Sequence, residues 1–137
     1  MPETSKITPF LMFTGRAQEA LDFYMQQFTD AEILQISHYG PEVPDREGTV
    51  AQALFRIGNQ KLMAIDSPPV HEFDFTPSLS LFVNCADEAE IDRLAASLAE
   101  GGFVMMPLST DYPFAAKYTW LSDRFGVSWQ LSLADDG

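Results

Sequence analysis

The sequence predicts an α+β domain built from two successive βαβββ modules. Three observations predict it. Apolar residues switch between strand-like alternation and helical spacing in the order β, α, β, β, β, and the order occurs twice. Corresponding positions lie roughly 70 residues apart, as between Pro9 and Ser78, Leu21 and Ile91, and Gly58 and Gly126. Glycine-containing turn signals close the last hairpin of each half. Few residues are identical between the halves, so the order of elements carries the repeat more than the letters do.

The first module is expected at about residues 1–69. Ile7 to Phe13 reads as a strand ended by Thr14-Gly15. Ala17, Ala20, Leu21, Tyr24 and Phe28 then recur at helical spacing and make one apolar face of a helix. Ala31 to Tyr39, Gly48 to Ile57 and Lys61 to Asp66 read as strands; a proline-containing loop joins the first pair, and Gly58-Asn59 turns the second. Ser67-Pro68-Pro69 breaks the pattern.

The second module is expected at about 70–137, after a linker from Val70 to Pro77. Ser78 to Val83 reads as its opening strand. Asp87 with Glu90 three residues on forms a capping box for a helix with Ile91, Leu94, Ala95 and Leu98 on one face. Gly101-Gly102 closes that helix. Phe103 to Leu108, Lys117 to Leu121 and Val127 to Leu133 are the remaining strands.

Composition bounds the function. The chain has 137 residues, a length that suits one domain, and 46% are hydrophobic, enough for a core. Eight Lys and Arg against twenty Asp and Glu give a net charge of −12. That balance argues against binding nucleic acid or an anionic membrane, since both need clustered cations. The single cysteine, Cys85, excludes an intrachain disulfide and a thiolate zinc cluster within one chain. No run approaches the roughly 20 apolar residues of a membrane helix, and the start does not read as a signal peptide. The expected location is cytoplasmic.

Alternation on the strands is the most informative feature. In the last strand Val127, Trp129, Leu131 and Leu133 form one face, and Ser128, Gln130 and Ser132 the other. In the opening strand of the second module Leu79, Leu81 and Val83 oppose Ser78, Ser80 and Phe82. The aliphatic faces should pack under the helices. On alternation alone the Ser/Gln face either meets bulk solvent, as in any one-sided sheet, or lines a moderately polar cavity.

The run Ile7 to Phe13 followed by Gly15 to Tyr24 is similar to the opening strand and helix of glyoxalase/bleomycin-resistance (vicinal oxygen chelate) modules. Tyr112-Pro113-Phe114, Lys117-Tyr118-Thr119-Trp120 and Asp123-Arg124-Phe125-Gly126-Val127-Ser128-Trp129-Gln130-Leu131 resemble, with more specificity, the PhnB-like subfamily of that superfamily. The subfamily is often labelled a 3-demethylubiquinone methyltransferase domain. The resemblance covers essentially the whole chain and implies that the two modules pair into a curved mixed-sheet cup, and that a homodimer forms in which modules of two chains complete each pocket. It also implies a divalent ion held by residues of the opening and closing strands of each module.

Carried over one by one, those ligand positions fall on Pro9, Ser78, Gln130 and a site near Ala64, where a two-residue shift reaches Leu62 or Asp66. Transition-metal sites want three or four His, carboxylate or thiolate ligands. No metal and no cofactor is therefore expected. The methyltransferase label has no counterpart either, because the eight glycines are scattered and form no Gly-rich turn after a first parallel strand.

Three functions follow. The first is binding of an unknown small molecule in a metal-free pocket, with polar contacts from Ser78, Ser80, Gln130 and Ser132. Tyr112 and Phe114 would form an aromatic lid, or instead pack at an interface, and Trp120 completes the set. The second is an enzyme of the superfamily using Asp66 as a general base or in a degenerate metal site. The third is a non-catalytic interaction protein. His38 and His71, the only histidines, read as surface or structural residues.

Overall fold

The computed structural model describes residues 6–135. The chain divides into two compact units, with the boundary between His71 and Glu72. Each is a βαβββ module whose four strands make one mixed sheet.

The first unit runs β1 (Phe10–Phe13), α1 (Ala17–Gln27), β2 (Ala31–His38), β3 (Val50–Ile57) and β4 (Gln60–Asp66). Its sheet order is β1-β4-β3-β2. β1 lies parallel to β4 with Phe10 opposite Met63 and Phe13 opposite Asp66, and the other neighbours are antiparallel. The β3–β4 hairpin turns on Gly58, whose φ of +60° is the left-handed conformation that a tight II′-type turn needs at its first central residue. The expected apolar face of α1 is the buried one: Ala17, Ala20, Leu21 and Tyr24 are all 0% exposed. Burying a side chain the size of Leu21 contributes about 2 kcal/mol. The first strand is shorter than its apolar run, because the β4 ladder engages β1 only from Pro9, whose carbonyl accepts from Met63. Ile7, before it, is solvent-exposed.

The second unit runs β5 (Ser80–Cys85), α2 (Glu88–Ala99), β6 (Phe103–Ser109), β7 (Lys117–Ser122) and β8 (Ser128–Leu133), in sheet order β5-β8-β7-β6. β5 is parallel to β8, and β7 is antiparallel to both β8 and β6. The expected cap forms as a variant of the capping box: Asp87 accepts from the amide of Glu90 at 2.8 Å, and Glu90 accepts from the amide of Ala86, one residue before the cap, at 2.7 Å. Past the end of α2, Gly101 takes φ +77°. At Gly102 a Cβ would stand 2.0 Å from the carbonyl oxygen of Ser122, so this strand entry tolerates no side chain.

α2 packs on β7 and β8. Its buried Ile91, Leu94 and Leu98 meet the odd-numbered strand face, where Leu121, Trp129 and Leu131 are also buried. Lys117 of β7 lies on that side and ties it to the helix start through Asp92 at 2.6 Å and Glu88 at 3.0 Å. These hydrogen bonds, Asp92 first and Glu88 second, hold the Lys117 pKa above its ordinary value. The even-numbered side chains therefore form the opposite face, open at Phe82, which is 55% exposed, and half-buried at Gln130 and Trp120, whereas Tyr118, Ser128 and Ser132 on it are buried.

Candidate functional site

Strand register sets the open face of the second sheet out as three rows across β5, β8 and β7. Ser80 stands beside Ser128 and Ser122, Phe82 beside Gln130 and Trp120, and Asn84 beside Ser132 and Tyr118. None of these nine side chains is charged. The structure thus brings together Ser80, Gln130, Ser132 and Trp120 from the residues singled out in the sequence.

Within the rows the hydrogen bonds are specific. The indole Nε1 of Trp120 donates to Ser128 Oγ at 2.9 Å. Ser128 Oγ lies 2.7 Å from Ser80 Oγ, which in turn donates to the carbonyl of Pro77 at 3.4 Å. Trp120 is held at its indole N–H by this chain of hydroxyls. The Tyr118 hydroxyl donates to Gln130 Oε1 at 2.6 Å. Burial of the phenol, with a smaller contribution from the charge of Tyr112, raises its pKa, so it stays a donor at neutral pH. With Oε1 held by the tyrosine, the amide is oriented with Nε2 as its remaining donor.

Tyr112 and Phe114 gather over the same tyrosine. The rings of Tyr112 and Phe114 stack with centroids 5.5 Å apart, and both meet Tyr118 edge-on, at 5.4 Å and 4.8 Å. The Tyr112 hydroxyl donates to the carbonyl of Pro107 at 2.7 Å, tying the loop to β6. Phe114 is 61% exposed and Phe82 is 55% exposed, so aromatic surface remains open within the Gln130 row and over the neighbouring Tyr118.

Ser78 stands apart from these residues. The expected strand start at Ser78 gives way to a turn, and β5 begins at Ser80. The reason is the neighbour: continuing the Ser80–Ser128 register backwards would pair Ser78 with Gly126, which sits in the β7–β8 turn at φ +93° and offers no extended backbone. Ser78 is exposed and its hydroxyl meets that of Thr76 at 2.7 Å.

Asp66 lies in the other unit and on the helix-packed side of its sheet, with Leu62 and Ala64. It is 2% exposed. Its Oδ1 accepts the amides of Gly15 at 2.8 Å and Ala17 at 3.0 Å, and its Oδ2 accepts the amide of Val50 at 2.9 Å. The residue expected as a general base is thus turned toward the start of α1 and away from the opposite sheet face. A carboxylate with both oxygens committed to backbone amides is poorly placed to take a proton from a substrate. It does border a cleft of about 500 Å3, which Thr14, Arg46, Thr49 and Pro68 also line. Arg46 there donates to the Asp66 carbonyl at 2.6 Å and lies over the ring of Tyr39 at 4.1 Å.

The side chains do not fit the divalent ion that the sequence resemblance implies. Pro9 precedes β1, and Ala64 faces the helix. The opposite face of that sheet carries Phe10, Met12, Met63 and Ile65 instead. Among the described residues no three His, Cys, Asp or Glu side chains converge on a point that would hold a metal ion. Cys85 is buried at the end of β5; burial first, and then the charge of Glu90, raise its pKa to about 11. That leaves it a thiol, not a thiolate nucleophile, at neutral pH.

Sequence reasoning passed over Tyr118 and did not include Phe82 or Ser128 among the site residues. The signal was available: Tyr118 shares the parity of Trp120 two residues away on one strand. What was missing was the register that sets it beside Ser132 and lets it reach Gln130.

No curated protein matches the sequence. The family model for 3-demethylubiquinone-9 3-methyltransferase matches residues 5–132. A PhnB protein of Bacillus cereus has 50% identity and a TM-score of 0.90, with 95% of this chain and 100% of that one covered. Protein PA1353 of Pseudomonas aeruginosa has 31% identity and a TM-score of 0.79, covering 97% and 100%. A glyoxylase/bleomycin resistance protein/dioxygenase domain from Frankia sp. EAN1pec has 14% identity, a TM-score of 0.63 and coverage of 98% and 96%, a likeness of fold alone. The chain belongs to the 3-demethylubiquinone-9 3-methyltransferase family of PhnB-like proteins, and its two mixed-sheet modules have the glyoxalase-like fold.

Proposed function

We propose that this protein binds a small organic molecule on the open face of its second sheet, without a metal ion. Gln130, Ser80 and Ser132 supply polar contacts, and Phe82, Trp120 and Phe114 supply apolar ones. The observation that carries the reading is the row Phe82, Gln130, Trp120. It is an oriented amide between two large aromatics, one of them more than half exposed. Ligand sites typically combine mostly apolar walls with a few fixed polar groups. A purely solvated sheet face has no need of an amide held by a tyrosine.

The methyl-transfer activity in the family's name finds no support in the residues here. The loop after β1 contains one glycine, Gly15, and its amide and that of Ala17 are both filled by Asp66. A cofactor bound at that loop would have to displace a buried carboxylate.

The partner expected beside the ligand is a second copy of the chain. The outer strand β6 supports this, with Phe103 67% and Val104 42% exposed on the sheet edge. Light scattering that gives a monomer at micromolar concentration would remove that part of the reading.

The test is a fragment screen by thermal shift and amide NMR on the wild type and on Phe82→Ala and Trp120→Leu. Hits should shift resonances of β5, β7 and β8, and each variant should weaken them at least tenfold. Hits that map elsewhere, or one tightly held metal ion per chain by elemental analysis, would overturn the proposal.

A further inference from the structure

Resting on that reading, we propose that the ligand is an uncharged, flat molecule that presents a hydrogen-bond acceptor, such as a carbonyl oxygen, to Nε2 of Gln130.

The central row decides the chemistry. Its two side chains with N–H donors are Trp120 and Gln130. The Trp120 donor is already spent on Ser128. The Gln130 amide has its oxygen occupied by Tyr118, and no hydrogen bond from its nitrogen forms among the described residues. Gln130 is half-buried, so a group that covers it must replace the water on Nε2 with an acceptor of its own or leave a buried donor unpaired. A ligand is therefore selected for an acceptor at this point and against a second donor.

Charge is decided by what the face lacks. None of the nine side chains in the three rows is charged. The nearest strand cation, Lys117, lies on the other side of β7 and is engaged by Asp92 and Glu88. An anionic ligand would give up hydration with no counter-charge to replace it, in a chain whose net charge is −12. A cation would find aromatic faces, but it would also meet the positive end of the Gln130 amide.

Shape follows from spacing. Phe82 and Trp120 stand on strands either side of Gln130, so their backbones are about 10 Å apart. A fused ring system laid over the amide reaches both aromatics; a long flexible chain gains less from them.

Four matched probes test this: 2-acetylnaphthalene, 2-ethylnaphthalene, 2-naphthoate and 2-(aminomethyl)naphthalene, each titrated into the full chain at pH 7 by calorimetry and amide NMR. The acetyl compound should bind at least tenfold tighter than the other three, and it alone should move the side-chain NH2 resonances of Gln130 downfield. In Gln130→Leu the acetyl and ethyl compounds should bind within twofold of each other. Tyr118→Phe, which frees the amide to rotate, should narrow the acetyl preference while ethyl binding persists. Equal binding of acetyl and ethyl compounds by the wild type, or preference for either ion, overturns the acceptor proposal and leaves the binding face standing. No shift at Phe82, Trp120 or Gln130 with any probe overturns both.

Discussion

Asp66 caps a helix that starts 49 residues earlier in the chain: its Oδ1 accepts the amide of Ala17, the first residue of α1, at 3.0 Å. Arg16, at the N-cap position, contributes no side-chain cap of its own. The end of β4 does for α1 what Asp87 does locally for α2, and it ties the helix start, β1's exit loop and β3 to one carboxylate.

Asp66→Ala should cost about 3–5 kcal/mol of stability, since three backbone amides lose a charged acceptor and two of those bonds are buried. Asp87→Ala, at an exposed cap, should cost about 1 kcal/mol. Urea unfolding of both variants checks the ranking; equal costs would mean that Asp66 is not the shared anchor.

Gly102→Ala should be among the most damaging single substitutions. The added methyl would meet backbone at Ser122 and Asp123, which cannot rotate away as a side chain can. We expect a loss of about 3 kcal/mol or more, seen as a fall in Tm. Gly48→Ala, where a Cβ would meet nothing but the backbone has φ +84°, should cost about 1 kcal/mol.

Cys85 should resist alkylation at pH 8 in the folded protein and react fast in urea. Its folded pKa is raised from 9.0 to about 11, so the folded state favours the protonated thiol. The stability this contributes is full below pH 9 and is lost as pH rises from about 9 to 11. Iodoacetamide labelling against pH, read by mass spectrometry, should show its midpoint near the upper value, and a midpoint near 9 would contradict it.

The two tryptophans should separate by quenching. Trp129 is 1% exposed in the core, whereas Trp120 is half-buried on the open face. Acrylamide should quench one fluorescence component in the wild type, and Trp120→Phe should remove it. A probe bound on the Gln130 row should protect Trp120 from the quencher.

Much of the fold was legible because its signals are local. Helical spacing picked out Ala17, Ala20, Leu21 and Tyr24, and the structure buries all four. The Asp87–Glu90 box and the Gly58 turn lie within a few residues of what they organise. Strand alternation also separated Trp129 and Leu131 from Ser128 and Gln130 correctly, since a strand's period needs no partner.

What alternation cannot supply is the partner and the side. The ligand positions carried onto Pro9 and Ala64 missed the open face of the first sheet, where Phe10 and Met63 stand. Asp66 is a candidate general base on sequence grounds because the sequence does not say which face of β4 the helix covers. Ser78 looked like strand because nothing in its own neighbourhood says that Gly126 is a turn. The sequence by itself determined the order of the elements, the two helix faces and the uncharged character of the even-numbered residues on β5 and β8. Only the tertiary structure decided that Tyr118 holds Gln130 and that Asp66 is spent on a helix. Register and helix placement are set by pairings between distant segments, and no local spacing encodes them.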